Sequence, residues 1–171
     1  MFHIYNNVYC NHNYRLHRVN MSRKDREIDR KRIVRILNDR TVLRLGFNDD
    51  PYPYIVPLNY VYDSGFIYLH SAMEGRKIEL LKRNKHVCFE VDNEIGIRKS
   101  DKPCNWGTKY ESVFGTGTAE LITDNDVKRK ILSTLMRKYS GSSQWTFSPE
   151  VVEKTALVRI SIDTITGKAS Y

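Results

Sequence analysis

A mainly β domain with helices, an α+β fold built as a six-stranded antiparallel barrel, closed or split, is what this sequence predicts. Three observations predict it. Six segments are rich in β-branched and aromatic residues and end at turn residues. The first three follow one another through turns too short for a crossover, which forces antiparallel pairing. Only three stretches carry helical periodicity, too few to alternate with every strand, so the helices belong at the ends of a small barrel.

The elements follow in chain order. "SRKDREIDRKRIVRILNDR", 22 to 40, reads as a helix with a capping-box-like start at Ser22 and Asp25 and an apolar stripe of Ile28, Ile33, Ile36 and Leu37. "TVLRLGF", 41 to 47, is the first strand, and "NDDP" turns the chain. "YPYIVPLNYVYD", 52 to 63, is the second, "DSG" a hairpin turn, and "FIYLH" the third. Pro53 and Pro57 fall inside the second strand. Proline cannot donate to a ladder, so this strand lies at an edge, opens there, or carries a bulge.

A short helix runs from about Gly75 to Arg83 with Ile78, Leu80 and Leu81 as its apolar side. "HVCFEVD", 86 to 92, alternates as a half-buried strand, with Cys88 expected in the core. "NEIGIRKSDKPCN" reads as a basic loop. "TKYESVFGTGTAEL" is a long strand in which Gly115 and Gly117 allow a bend or a close approach. Thr123 and Asp126 cap a strong helix through Tyr139, with Val127, Ile131 and Leu135 at intervals of four and Leu132 and Met136 beside them. "SGSSQ" connects to a last strand in which Ala156, Val158, Ile160 and Ile162 alternate.

A chain of 171 residues is long enough for one domain with a real core. Residues 1–21 read as a flexible extension ahead of a single domain, 22–171. The first twenty contain no Asp or Glu, and a second Met opens "MSRKDREI". His3, His12 and His17 match no metal-ligand spacing. Cys10, Cys88 and Cys104 form neither a disulfide framework nor a CxxC pair. No apolar run spans a bilayer and no signal peptide shows, so a cytoplasmic protein without a membrane partner is expected. The net charge of +8 suits an anionic ligand or a nucleic acid. It is also what a solvated basic surface gives, and without a nucleic-acid signature no nucleic-acid partner is expected.

"HSAMEGRKIELL", 70 to 81, concentrates the chemistry. Helix N-termini favour acidic residues, yet Arg76 and Lys77 stand there. A phosphate would satisfy both cations and the free amides, with Ser71 as a further donor and Gly75 letting the backbone approach. The plainer account is two solvated cations opposing the helix dipole.

"VPLNY", "LHSAMEGRK" and "YESVFGTG" carry a resemblance. Over about residues 22 to 163 the chain resembles the flavin-binding split barrels related to pyridoxamine 5′-phosphate oxidase, and within them the nitroimidazole-resistance (Nim) branch. The resemblance implies FMN as cofactor, with FAD as the alternative. Pro57, Leu58, Asn59 and Tyr60 would flank the flavin ring, largely through backbone groups. His70, Ser71, Ala72, Arg76 and Lys77 would hold the ribityl phosphate. Tyr110 and Ser112 would reach toward the ring from the barrel wall or from the partner in a homodimer with the flavin at its interface.

His70 has two readings, a structural histidine ending a strand or a proton donor to a small-molecule substrate. The implied activity is FMN-dependent reduction of a small nitroaromatic or similar electrophile. Its alternative is a flavin- or haem-binding protein of the same fold without that activity, and a basic nucleic-acid-binding barrel is the rival from another class. The C-terminal "VRISIDTITGKASY" lacks the Arg- and Trp-containing segment of true pyridoxamine-phosphate oxidases, and Arg159 and Lys168 do not replace it. Vitamin-oxidase activity is therefore not expected.

Overall fold

The computed structural model describes residues 23–171. The expectations about the N-terminal extension, its three histidines and Cys10, and Ser22 as a cap lie outside the described residues. A single 3-10 turn, Lys24–Arg26, leads to α1, Arg30–Asp39. Then come β1 (Val42–Phe47), β2 (Tyr54–Asp63), β3 (Phe66–Ala72), α2 (Arg76–Arg83) and β4 (His86–Arg98). A 3-10 turn at Pro103–Asn105 precedes β5 (Gly107–Ile122), α3 (Asn125–Ser140), α4 (Pro149–Glu153) and β6 (Thr155–Ser170). The six strands close into a barrel in the order β1-β2-β3-β6-β5-β4, and every neighbouring pair is antiparallel.

Alternation decides what fills the barrel. Leu43, Leu45 and Phe47 of β1, Ile67 and Leu69 of β3, Phe89 and Val91 of β4, Val113 of β5 and Ile160 of β6 are buried together. Each contributes roughly 1.5–3 kcal/mol by leaving water. Gly115 is required for close approach: a Cβ there would lie 2.3 Å from Phe89 Cζ. A second apolar cluster covers the outer wall, where Val61, Tyr68 and Leu157 meet Ile131, Leu132 and Leu135 of α3 and Val152 of α4.

Several expectations are corrected. The first helix is only α1, capped by Asp29, whose carboxylate accepts the Arg32 N–H. Ile28 fits the helical stripe, but its N–H goes to Gly167 O of β6, so the backbone there extends the sheet instead. The cap of α3 is Asp124, which accepts from the amides of Asp126 and Val127. β4 continues to Arg98 through a register shift at Glu94/Gly96, where Gly96 has φ +150°, and pairs with the start of β5. Cys88 is exposed rather than core, because Val87, Phe89 and Val91 take the inward positions. Pro53 lies just before β2.

The α1 edge is tied to the barrel by one acid. Glu111 of β5 is buried, and its carboxylate accepts from Arg32 Nε (2.8 Å), Arg35 Nη2 (3.0 Å), Tyr171 OH (2.7 Å) and Asn93 Nδ2 (3.4 Å). Burial opposes its ionisation. The hydrogen bonds from Arg32 and Asn93 and the two guanidinium charges outweigh burial and hold its pKa below the usual range.

Candidate functional site: a seam between two strands

β2 changes neighbours halfway along. Tyr54 to Asn59 pair with Phe47 to Val42 of β1, and Tyr60 to Asp63 pair with Leu69 to Phe66 of β3. β3 does the converse: His70, Ser71 and Ala72 pair only with Leu157, Ala156 and Thr155 of β6. A wedge therefore opens between residues 54–59 of β2 and residues 70–72 of β3. Pro57 sits in that open half, as its missing N–H allows.

Tyr139 of α3 closes the other edge of β2, where the ladder to β1 ends at the Val42–Asn59 pair. Its hydroxyl accepts the Tyr60 N–H at 2.9 Å, and it bonds the carbonyls of Thr41 and Tyr60. Tyr60 is itself fully buried, its OH donating to Leu37 O at 2.8 Å, and the Lys138 ammonium lies 3.9 Å from its ring centre. Burial, partly opposed by Asp39, pushes Lys138 down to about 8. Tyr60 thus stands in the core and not in the pocket beside His70, with its N–H, C=O and OH all engaged inside the protein.

At the inner end of the wedge is a narrow pocket lined by Leu58, Leu69, His70, Ser71, Lys77 and Ile78, with Phe47 and others behind them. Ser71 Oγ is sealed from solvent and has no hydrogen-bond partner. Such a hydroxyl costs about 1–3 kcal/mol and asks for an explanation. Two neighbours supply one. Lys77 has no ion pair among the described residues and lines the same pocket. The N-terminus of α2 has no side-chain cap, and Gly75 at its N-cap has φ +108°, which favours glycine. An unpaired hydroxyl, an ammonium and free amides form a donor set with no acceptor, the chemistry of an anion site.

The fit to a flavin can be tested on this geometry. The enclosed cavity is only about 10 Å³, far below the ~300–1,000 Å³ of typical cofactor pockets. One chain therefore encloses at most the tip of such a molecule, and a flavin ring would have to lie outside the cavity, along the wedge.

The predicted site residues divide accordingly. Leu58, His70, Ser71 and Lys77 line the pocket. Pro57 and Asn59 alternate with Leu58 on the exposed side of β2, and Ala72 is exposed at the end of β3. Arg76 does not line the pocket. It donates to Asp49 Oδ2 through Nη2 (2.8 Å) and Nε (3.2 Å), and its guanidinium lies 4.7 Å from the Tyr54 ring centre. Its expected want of a counter-charge is thereby corrected, because Asp49 supplies one. The guanidinium of Arg76 also holds the Asp49 carboxyl below the usual range. Tyr110 and Ser112 stand on β5, away from the pocket, with Tyr110 OH accepting from Arg26 Nη1 at 3.3 Å. Arg159 is engaged with Glu120 and the Phe66 ring.

Sequence reading missed Asp49, Tyr54 and Tyr139. "NDDP" reads only as a turn, and no local signal announces a carboxylate that pairs with a helix 27 residues later.

Comparisons with known proteins agree with this architecture. The sequence model of a family described as pyridoxamine 5′-phosphate oxidase matches residues 29–169. No curated protein matches. Among solved structures, a candidate 5-nitroimidazole antibiotic resistance protein from Bacteroides thetaiotaomicron is 33% identical, with a TM-score of 0.74 over 83% of this chain and 85% of that one. The flavocytochrome Anf3 from Azotobacter vinelandii is 22% identical, with a TM-score of 0.75 over 84% of this chain and 68% of that one. An FAD- and haem-binding protein from Mycobacterium smegmatis is 18% identical, with a TM-score of 0.76 over 83% of this chain and 71% of that one. The last two likenesses show the fold alone.

Proposed function

We propose that this chain, which belongs to the pyridoxamine 5′-phosphate oxidase family, binds FMN in the β2/β3 wedge and reduces a small nitroaromatic or similar electrophile. The observation that carries the proposal is Ser71 Oγ, buried and unpaired in a pocket shared with Lys77 at an uncapped helix start. A phosphate monoester supplies the acceptor oxygens this donor set lacks. FMN carries such a group at one end, and FAD, with its bulkier diphosphate, fits the narrow pocket less well.

Leu58 and the exposed side of β2 at Pro57 and Asn59 would support the ring, and the unpaired backbone of 54–59 would meet its polar edge. A bound flavin supplies electron-pair transfer; the protein supplies position, exclusion of water and protons. The first two-electron reduction, of the nitro group to a nitroso group, also consumes two protons and releases water. His70 lines the pocket and is exposed, so it can hold a proton beside the substrate and be reloaded from solvent.

A homodimer is part of the same proposal. One chain encloses too little space for a whole cofactor. Ile55, beside the open half of β2, and Phe114, on β5, are exposed apolar residues that a second copy would cover. The similar Bacteroides protein, named for 5-nitroimidazole resistance, supports the choice of electrophile.

The test is anaerobic turnover. Protein reconstituted with FMN is given a nitroimidazole and a reduced nicotinamide, and loss of the nitro absorbance is followed. Stoichiometric FMN with no turnover leaves the non-reducing flavoprotein reading. Protein that takes up no FMN overturns both.

A further inference from the structure

We propose that Asp49 is a positioning residue for the phosphate corner. With Arg76 and Tyr54 it forms a clasp that fixes the first turn of α2 against the loop between β1 and β2. The proposal rests on the reading above that a flavin phosphate sits beside Lys77 and Ser71.

Asp49 belongs to a surface turn, yet its side chain is only 10% exposed. Both of its oxygens are occupied. Oδ2 accepts twice from Arg76, while Oδ1 accepts from the Asp50 N–H at 3.1 Å and lies 3.7 Å from Arg83 Nη2. Arg76 and Arg83 are the first and last residues of α2, so one carboxylate reaches both ends of that helix.

The clasp continues into the pocket wall. Arg76 lies over the Tyr54 ring, Tyr54 lies 5.7 Å from the Phe47 ring centre to centre, and Phe47 lines the pocket. On the other side, Arg76 is followed directly by Lys77. Ahead of Ile78, the first buried side chain of α2, the helix start has no other side-chain anchor among the described residues. Its N-cap is Gly75, at φ +108°, with no side-chain cap and nothing within 4 Å of where a Cβ would stand. Released from Asp49, residues 75–77, ahead of the buried Ile78, can shift and carry Lys77 and the free amides out of line with Ser71.

The sign of the effect separates position from charge. Asp49→Asn adds one unit of positive charge near the phosphate. By charge alone FMN should bind more tightly, though only slightly, because exposed charges are screened. By position it should bind less tightly, because the donors lose their common aim.

The experiment is a titration of FMN and of riboflavin, which lacks the phosphate, by flavin fluorescence on the wild-type chain, Asp49→Asn, Arg76→Gln and the double variant. The expected result is an FMN Kd raised about tenfold in each single variant and no further in the double, with riboflavin within about twofold throughout. Arg76→Gln also removes a cation, so its own loss fits charge as well as position, and the clasp is read from the loss in Asp49→Asn and from the absence of any further loss in the double variant. FMN binding that is unchanged or tighter overturns the clasp, as does an equal loss of riboflavin in both single variants. If the wild-type chain holds riboflavin as tightly as FMN, the phosphate reading itself falls, and the clasp falls with it.

Discussion

Replacing Ser71 by alanine should move stability and cofactor binding in opposite directions. Ser71 Oγ is sealed from solvent without a partner, a state that costs about 1–3 kcal/mol. Alanine removes the oxygen and leaves a void of less than one methyl group. The cofactor-free protein should therefore gain about 1 kcal/mol, or about 2–4 °C in Tm for a chain of this size. With FMN the balance reverses. A hydrogen bond to a charged acceptor is worth about 1.5–3 kcal/mol, so the Kd should rise about 10- to 150-fold. Thermal unfolding at zero and saturating FMN, with a fluorescence titration beside it, reads both. A cofactor-free variant that loses 1 kcal/mol or more would show that the hydroxyl has an internal partner. An unchanged FMN Kd would remove Ser71 from the site.

Three other substitutions probe separate parts of the molecule. Lys77→Ala should weaken FMN about tenfold, leave riboflavin alone and flatten the salt dependence of FMN binding; equal losses for both ligands would place Lys77 in packing rather than recognition. His70→Ala should retain FMN but lower nitro reduction by about a hundredfold, and turnover at the parent rate would make His70 structural. Glu111→Gln removes a buried acid from Arg32 and Arg35, and because both arginines are partly exposed the cost should be about 1–3 kcal/mol at neutral pH. The folded pKa of Glu111 is depressed, so its contribution is present above the unfolded value of about 4.3 and is lost as pH falls through the folded value. Denaturation curves of parent and variant should converge in acid; a constant gap would mean that charge is not the cause.

The strands were legible where alternation and turn residues coincide. Val87, Phe89 and Val91 announce β4, and "DSG" announces the β2–β3 hairpin. Legibility failed where a partner elsewhere in the chain decides. Residues 94–98 read as a loop because glycine and cations break the pattern, yet β5 offers them a ladder. Ile28 reads as helix until Gly167 takes its N–H. At the site, Pro57 signalled an open strand, Lys77 was visible as one of two cations misplaced at a helix start, and Ser71 as a further donor beside it. Arg76 was misread because its carboxylate lies 27 residues upstream. The burial of Tyr60 was not legible, because no sequence pattern shows that Tyr139 would bond its backbone.

The change of partner along β2 has a mechanical consequence. A cleft made by flexible loops can collapse when empty and must be reopened by the guest. Here the gap is built from strand register: zipping β2 onto the end of β3 would require a donor that Pro57 does not have. The slot is thus held ajar by the barrel's own staves, and a molecule entering it breaks no ladder bond to get in.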